Sequence, residues 1–117
     1  MTDTAIVAIS RNGAELARRV ATELGGGSTL YLDRRFLVEE DNAVAFDLPA
    51  RPLVQSVFQE CRRLVLFMPV GAAVRLLAPC LDHKHRDPAV VCVDGAGRFA
   101  VSLLSGHLGG ADKLAQE

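Results

Sequence analysis

The residues best suited to chemistry lie near the end of the chain, in Ser105-Gly106-His107-Leu108-Gly109-Gly110. Three glycines within residues 106–110 let the backbone approach a ligand closely. The pattern places a helix start directly after them, at about Ala111, so free N–H groups and the positive end of a helix dipole can hold a carboxylate or a phosphate. His107 sits inside this loop, and histidine transfers protons near neutral pH. Taken alone, a glycine-rich loop is a weak signal, and a plain loop leading into a helix is its commoner reading.

A second group is His83-Lys84-His85-Arg86, a local basic cluster that could pair with the carboxylates of an acidic ligand. Such runs are more often ordinary solvated loops, and Asp82 and Asp87 weaken the local field. A third is Gly71, ahead of Ala72-Ala73-Val74-Arg75. It could open a helix at a binding crevice, with Arg75 one turn in and able to reach an anion; close helix-on-sheet packing through small residues explains it about as well. Cys80, His83, His85 and His107 invite a zinc reading, but only one pair has tight ligand spacing and there is no second cysteine pair. No metal site is expected. Cys61 and Cys92 read as small buried hydrophobes. The glycines at 25–27 follow a helix and suit a C-cap better than a phosphate loop, and no GxGxxG or P-loop pattern occurs.

These residues need a scaffold, and the periodicity supplies one. Residues 5–9 form a short apolar run rich in β-branched side chains, which predicts a buried strand. Asn12 and Glu15 have capping-box spacing, and Leu16, Val20 and Leu24 repeat at helical intervals. Residues 29–32 predict a second strand. Residues 33–49 are charged and irregular and read as a mobile connection. Leu53, Val57 and Phe58 mark a second helix, and the apolar run 64–68 predicts a central strand covered on both faces. Residues 70–81 read as helical, interrupted at Pro79. Residues 89–93 predict a strand, and 98–102 its antiparallel return after a turn at 94–97. Strands alternating with helices predict one α/β domain over residues 1–117: three layers, a mostly parallel sheet of about five strands, and an antiparallel β-hairpin at one edge. Ligands of such sheets sit beyond the carboxyl ends of strands, so the expected edges are 69–71 and 105–110.

Bulk properties narrow the partners. The chain has 117 residues, 50% hydrophobic and 23% charged, as in globular proteins that bury a core without staples. A net charge of -1 gives no overall basic field for nucleic acid or an anionic membrane. The apolar stretch 64–74 stops at Arg75, too short to span a bilayer. Three cysteines without a CxxC and an N-terminus lacking a basic signal-peptide region predict a cytoplasmic location.

A longer ordered set of residues goes further than any single motif. It runs Val70-Gly71-Ala72-Ala73-Val74-Arg75-Leu76-Leu77-Ala78-Pro79, then Lys84, Asp87-Pro88-Ala89-Val90-Val91, Asp94 and Gly97. It continues through Ser102-Leu103-Leu104-Ser105-Gly106-His107 and Gly109-Gly110-Ala111, and Gly13-Ala14 match near the start. In this the chain resembles the N-terminal region of the cobalt-precorrin-5A hydrolase family. Two positions depart from the family pattern: Asp112 stands where Asn is usual, and Val70 where a small or hydroxylated residue is usual.

The resemblance implies opening of the δ-lactone of cobalt-precorrin-5A with release of acetaldehyde, giving cobalt-precorrin-5B on the anaerobic route to cobalamin. Within the matching run His107 is expected to be the catalytic group, as general base or as the donor that polarises the lactone carbonyl. The alternative is that it only hydrogen-bonds a peripheral carboxylate or shapes the loop. Gly71, Arg75, Lys84, Ser105, Gly106, Gly109 and Gly110 are expected to bind a tetrapyrrole rich in acetates and propionates. Cobalt would arrive with the substrate, so no cofactor of the protein's own is expected. Family members continue into further domains, so the chain is expected to be a fragment that needs a C-terminal half, in the same protein or as a separate chain. Two other readings stay open: a non-catalytic tetrapyrrole-binding module of a split enzyme, and a flavodoxin-like nucleotide or flavin binder.

Overall fold

The computed structural model describes residues 3–81, 87–94 and 97–105. The elements are β1 (Thr4–Ala8), α1 (Arg11–Leu24), β2 (Ser28–Asp33), β3 (Val44–Phe46), α2 (Arg51–Phe58), β4 (Arg63–Phe67), α3 (Val70–Leu77), β5 (Ala89–Val93) and β6 (Ala100–Ser105). Short 3-10 turns cover Arg34–Phe36 and Ala78–Cys80. The six strands form one sheet in the order β3-β2-β1-β4-β5-β6, parallel except for β6, which runs antiparallel to β5. This is the 3-2-1-4-5-6 doubly wound order, not the 2-1-3-4-5 order of flavodoxin-like sheets.

The alternation of strand side chains builds two cores. Ala5, Val7, Leu64, Leu66, Val90 and Cys92 point to one face, where Val54, Val57 and Phe58 of α2 and Ala73 and Leu77 of α3 cover them. Ile6, Ala8, Val65, Phe67 and Val91 point to the other, under Ala14 and Ala17 of α1. Strands apolar at every position are thus buried on both faces. The central strand expected from the run at 64–68 is β4: Leu66 is 0% and Phe67 2% exposed. Three layers, a mostly parallel sheet and an antiparallel pair at one edge agree with the expected architecture.

Local chemistry explains most boundaries. α1 begins because Ser10 is extended and its Oγ accepts from the Gly13 N–H at 3.0 Å. Asn12 lies inside the first turn and does not cap it, which corrects the Asn12–Glu15 expectation. α1 ends at Gly25, whose φ of 69° suits a residue without a Cβ. Pro79 ends α3: the α-helix stops at Leu77 and a 3-10 turn follows.

Residues 33–49 are not a loose connection, and here the expectation is corrected. Asp33 accepts from the Arg35 backbone N–H at 3.0 Å and pairs with its guanidinium at 2.8 Å. Arg18 of α1 grips Asp41 through two bonds, 2.8 and 2.9 Å long, and donates to the Phe36 carbonyl at 2.7 Å. The segment also contributes β3, which raises the strand number from about five to six; three residues are too few to show an alternation. The returning strand of the hairpin is longer and later than residues 98–102, with a register shift between Val90 and Val91. The helix expected from Ala111 lies outside the described residues.

Candidate functional site

The sheet has two rims, and the topology sorts the candidate residues between them. At the amino rim of the parallel strands, Ser28, Thr4, Arg63 and Ala89 stand in one row by register. Because β6 runs the opposite way, its final residue, Ser105, pairs with Ala89 and joins the same row. The sequence had placed the segment from Ser105 beyond a carboxyl end. It does follow the end of β6, but that end lies at the amino rim of the other strands.

Arg75 lies one turn along α3 from Gly71, about 6 Å by helical rise. α3 starts at the carboxyl end of β4 and returns along the sheet, with exposed Arg75 in its last turn and the Ala78–Cys80 turn beyond it. Leu76 and Cys80 pack on the same core as Leu103 and Leu104 of β6. Gly71 lies at the carboxyl rim, four residues before Arg75 on the same side of α3. A Cβ at Gly71 would meet nothing within 4 Å, so close packing is not what places glycine there. Ala73, 0% exposed, makes the contact with the sheet instead.

The amino rim carries cations that sequence reasoning missed. The N–H groups of Arg62 and Arg63 both donate to the Asp3 carbonyl at 3.0 Å, and the Arg62 carbonyl accepts from Ala89 N–H at 3.0 Å. Arg63 pairs with Asp3 at 3.0 Å. Arg62 is exposed and makes no ion pair among the described residues. Only the pairing of β4 with β5 brings it beside Ala89, so no local pattern announces it. Lys84, Gly106, His107, Gly109 and Gly110 lie outside the described residues, as do His83 and His85.

The described thiols fit structural roles. Burial pushes the Cys61 thiol up to about 12. Burial likewise raises Cys92, whose Sγ donates to the Met68 carbonyl at 3.1 Å, and Cys80, whose Sγ lies 3.6 Å from the Leu76 carbonyl. None is a thiolate nucleophile at neutral pH. No described helix is long and apolar enough to cross a membrane.

The carboxyl rim holds a different feature. Arg11 opens α1 directly after β1, and the Arg34–Phe36 turn follows β2. The guanidinium carbons of Arg11 and Arg35 lie 5.8 and 5.0 Å from the centroid of the Phe36 ring. A cavity of about 200 Å³ opens between them, bordered also by Glu15 and Arg18. The Arg35 side-chain hydrogen bond holds the Asp33 carboxyl below its usual range, and Arg18 does the same for Asp41. The sequence cue was available: the second strand runs straight into Asp33-Arg34-Arg35-Phe36.

Comparison with known proteins places the chain. Residues 52–117 match the family described as Cobalamin synthesis G N-terminal. Cobalt-precorrin-5A hydrolase of Priestia megaterium is 37% identical over 117 residues, covering 98% of this chain and 31% of that protein. The Salmonella typhimurium enzyme of the same name is 34% identical over 110 residues, covering 94% and 30%. The chain therefore spans under a third of these relatives' length. A cobalamin biosynthesis protein G homologue from Sulfolobus solfataricus shares the fold, with a TM-score of 0.68 at 21% identity over 97% of this chain and 32% of that one. The chain belongs to the Cobalamin synthesis G N-terminal family.

Proposed function

We propose that this chain acts as the N-terminal part of a cytoplasmic cobalt-precorrin-5A hydrolase on the anaerobic route to cobalamin. The likeness to the Priestia megaterium enzyme over 98% of the chain carries the reading. The pairing of Ser105 with Ala89 supports it. That pairing sets the start of the Ser105–Gly110 motif two residues from Asp87, where the basic stretch ends.

On this reading Arg75, Lys84 and the newly noted Arg62 receive peripheral carboxylates of the tetrapyrrole. N–H groups of Ser105, Gly106, Gly109 and Gly110 steady negative charge on the lactone oxygen. Gly71, in the first turn of α3 and one turn before Arg75, lets the ligand approach the backbone there. Water attacks the lactone carbonyl carbon, and the acyl C–O bond breaks to leave a carboxylate and a hydroxyl. That hydroxyl then loses its proton, its O–H electrons become the aldehyde C=O, and the C–C bond to the macrocycle breaks as the macrocycle carbon takes up a proton. His107 is the group suited to moving these protons. The reading requires no cofactor from the protein, since cobalt arrives within the substrate, and the remainder of the active site comes from the C-terminal part.

Cobyrinic acid, a corrin with free peripheral carboxylates, tests the site. Added to residues 1–117, it should shift the backbone amide resonances of Arg62, Arg75, Asp87 and Ser105 above that of Ser10. Absence of saturable binding would refute the tetrapyrrole reading.

A further inference from the structure

We propose that the cavity between α1 and the Arg34–Phe36 turn is a binding site for a monocarboxylate carried on an apolar body, separate from the rim assigned to the tetrapyrrole. Counting charges around the cavity selects the ligand. Arg35 is paired with Asp33 at 2.8 Å and Arg18 with Asp41 at 2.8 Å, so neither pair adds net charge. Arg11 makes no ion pair among the described residues, yet its guanidinium is held over Phe36. At 5.8 Å from the ring centroid this is a cation–π contact, which uses none of the guanidinium N–H donors and leaves them to grip a carboxylate. Glu15 on the border, one turn from Arg11 on α1, offsets part of its charge and disfavours a second negative charge on the ligand. One negative charge therefore fits better than two. Phe36, Leu37 and Val38 line the remainder, which suits an apolar body next to the carboxylate.

The site is formed before any ligand arrives. Arg18 ties the Phe36 carbonyl at 2.7 Å and Asp41 to α1, and Asp41 also accepts from the Val38 N–H at 2.9 Å. Little ordering is left for binding to do. The cavity opens at the carboxyl rim beside the ends of β1 and β2, one strand interval from the β1–β4 point where the winding order reverses.

The test uses residues 1–117 with benzoate as probe, and benzyl alcohol and phenyl phosphate as neutral and dianionic comparators. The Nε–H resonances of Arg11 and Arg35 report binding. Benzoate should shift the Arg11 signal saturably with a Kd on the order of millimolar, and more tightly than either comparator. Arg11→Gln should weaken benzoate roughly tenfold, and Arg11→Lys, which keeps charge but loses the planar fork, should weaken it measurably. Wild-type affinity in both variants, tighter binding of phenyl phosphate, or no shift at Arg11 would overturn the proposal. Loss of cobyrinic acid binding with benzoate binding intact would count against the tetrapyrrole reading alone.

Discussion

Replacing Gly13 by alanine sets helix propensity against packing, and the distances decide between them. In a helix, alanine is favoured over glycine by about 1 kcal/mol. Here the new Cβ would lie 2.9 Å from Ser10 Oγ, 3.2 Å from Phe67 Cβ and 3.4 Å from the Phe67 carbonyl. Ser10 Oγ is the cap of α1, and displacing it costs about 1 kcal/mol. Phe67 is buried in the strand beneath and cannot swing aside, so α1 must lift, at an overpacking cost of roughly 1–3 kcal/mol. The net expectation is a loss of about 1–3 kcal/mol, or a fall in Tm of roughly 4–12 °C for a chain of this length. Urea denaturation followed by circular dichroism measures it. The Ser10→Ala/Gly13→Ala double variant should be about 1 kcal/mol less unstable than the sum of the singles, because one cap cannot be lost twice. A Gly13→Ala protein more stable than wild type would show that α1 does not sit this close to β4, and the placement of Arg11 would fall with it.

Two further outcomes follow from charge and burial. Asp33 and Asp41 titrate lower in the folded chain than in the unfolded one, each chiefly through its arginine hydrogen bond. Their stabilisation is complete above the unfolded value of about 4 and is lost as pH falls through the folded values. Asp41→Asn should therefore flatten the loss of stability below about pH 4, measured as urea midpoint against pH; an unchanged acid limb would contradict the Arg18–Asp41 pair. Native alkylation should modify Cys80 at least about tenfold faster than Cys61 or Cys92, read by peptide mass spectrometry, and equal rates would contradict the burial of the latter two.

Much of the scaffold could be read along the chain, because fully buried parallel strands announce themselves as unbroken apolar runs. The runs in β1, β4 and β5 carried that signal, and Pro79 and Gly25 marked helix ends for reasons internal to the residue. What escaped was set by partners distant in sequence. β3 is three residues long and exists because β2 pairs with it. The segment around Asp41 is ordered by Arg18, twenty-three positions earlier. Capping-box spacing pointed to Asn12, whereas the N–H of Gly13 donates to Ser10 Oγ and starts α1 two residues earlier.

The site was legible as motifs and not as an arrangement. Ser105, Gly71 and Arg75 were picked out by type and spacing; the place of Ser105 at the amino rim depends on β6 running antiparallel, and Gly71 and Arg75 lie one turn apart on α3. Arg62 carries no motif and becomes visible only when β4 meets β5, whereas Asp33-Arg34-Arg35-Phe36 was a cue whose partner, Arg11, appears only when α1 packs against the turn after β2.

The most direct test of the account is turnover in a chimera. This chain replaces the corresponding N-terminal region of the Priestia megaterium hydrolase, and acetaldehyde release from cobalt-precorrin-5A is followed by coupled NADH oxidation. The chimera should turn over, and His107→Ala should lower its kcat by roughly a hundredfold or more with binding little changed. A folded chimera that binds substrate but releases no acetaldehyde, or a His107→Ala form with full kcat, would contradict it.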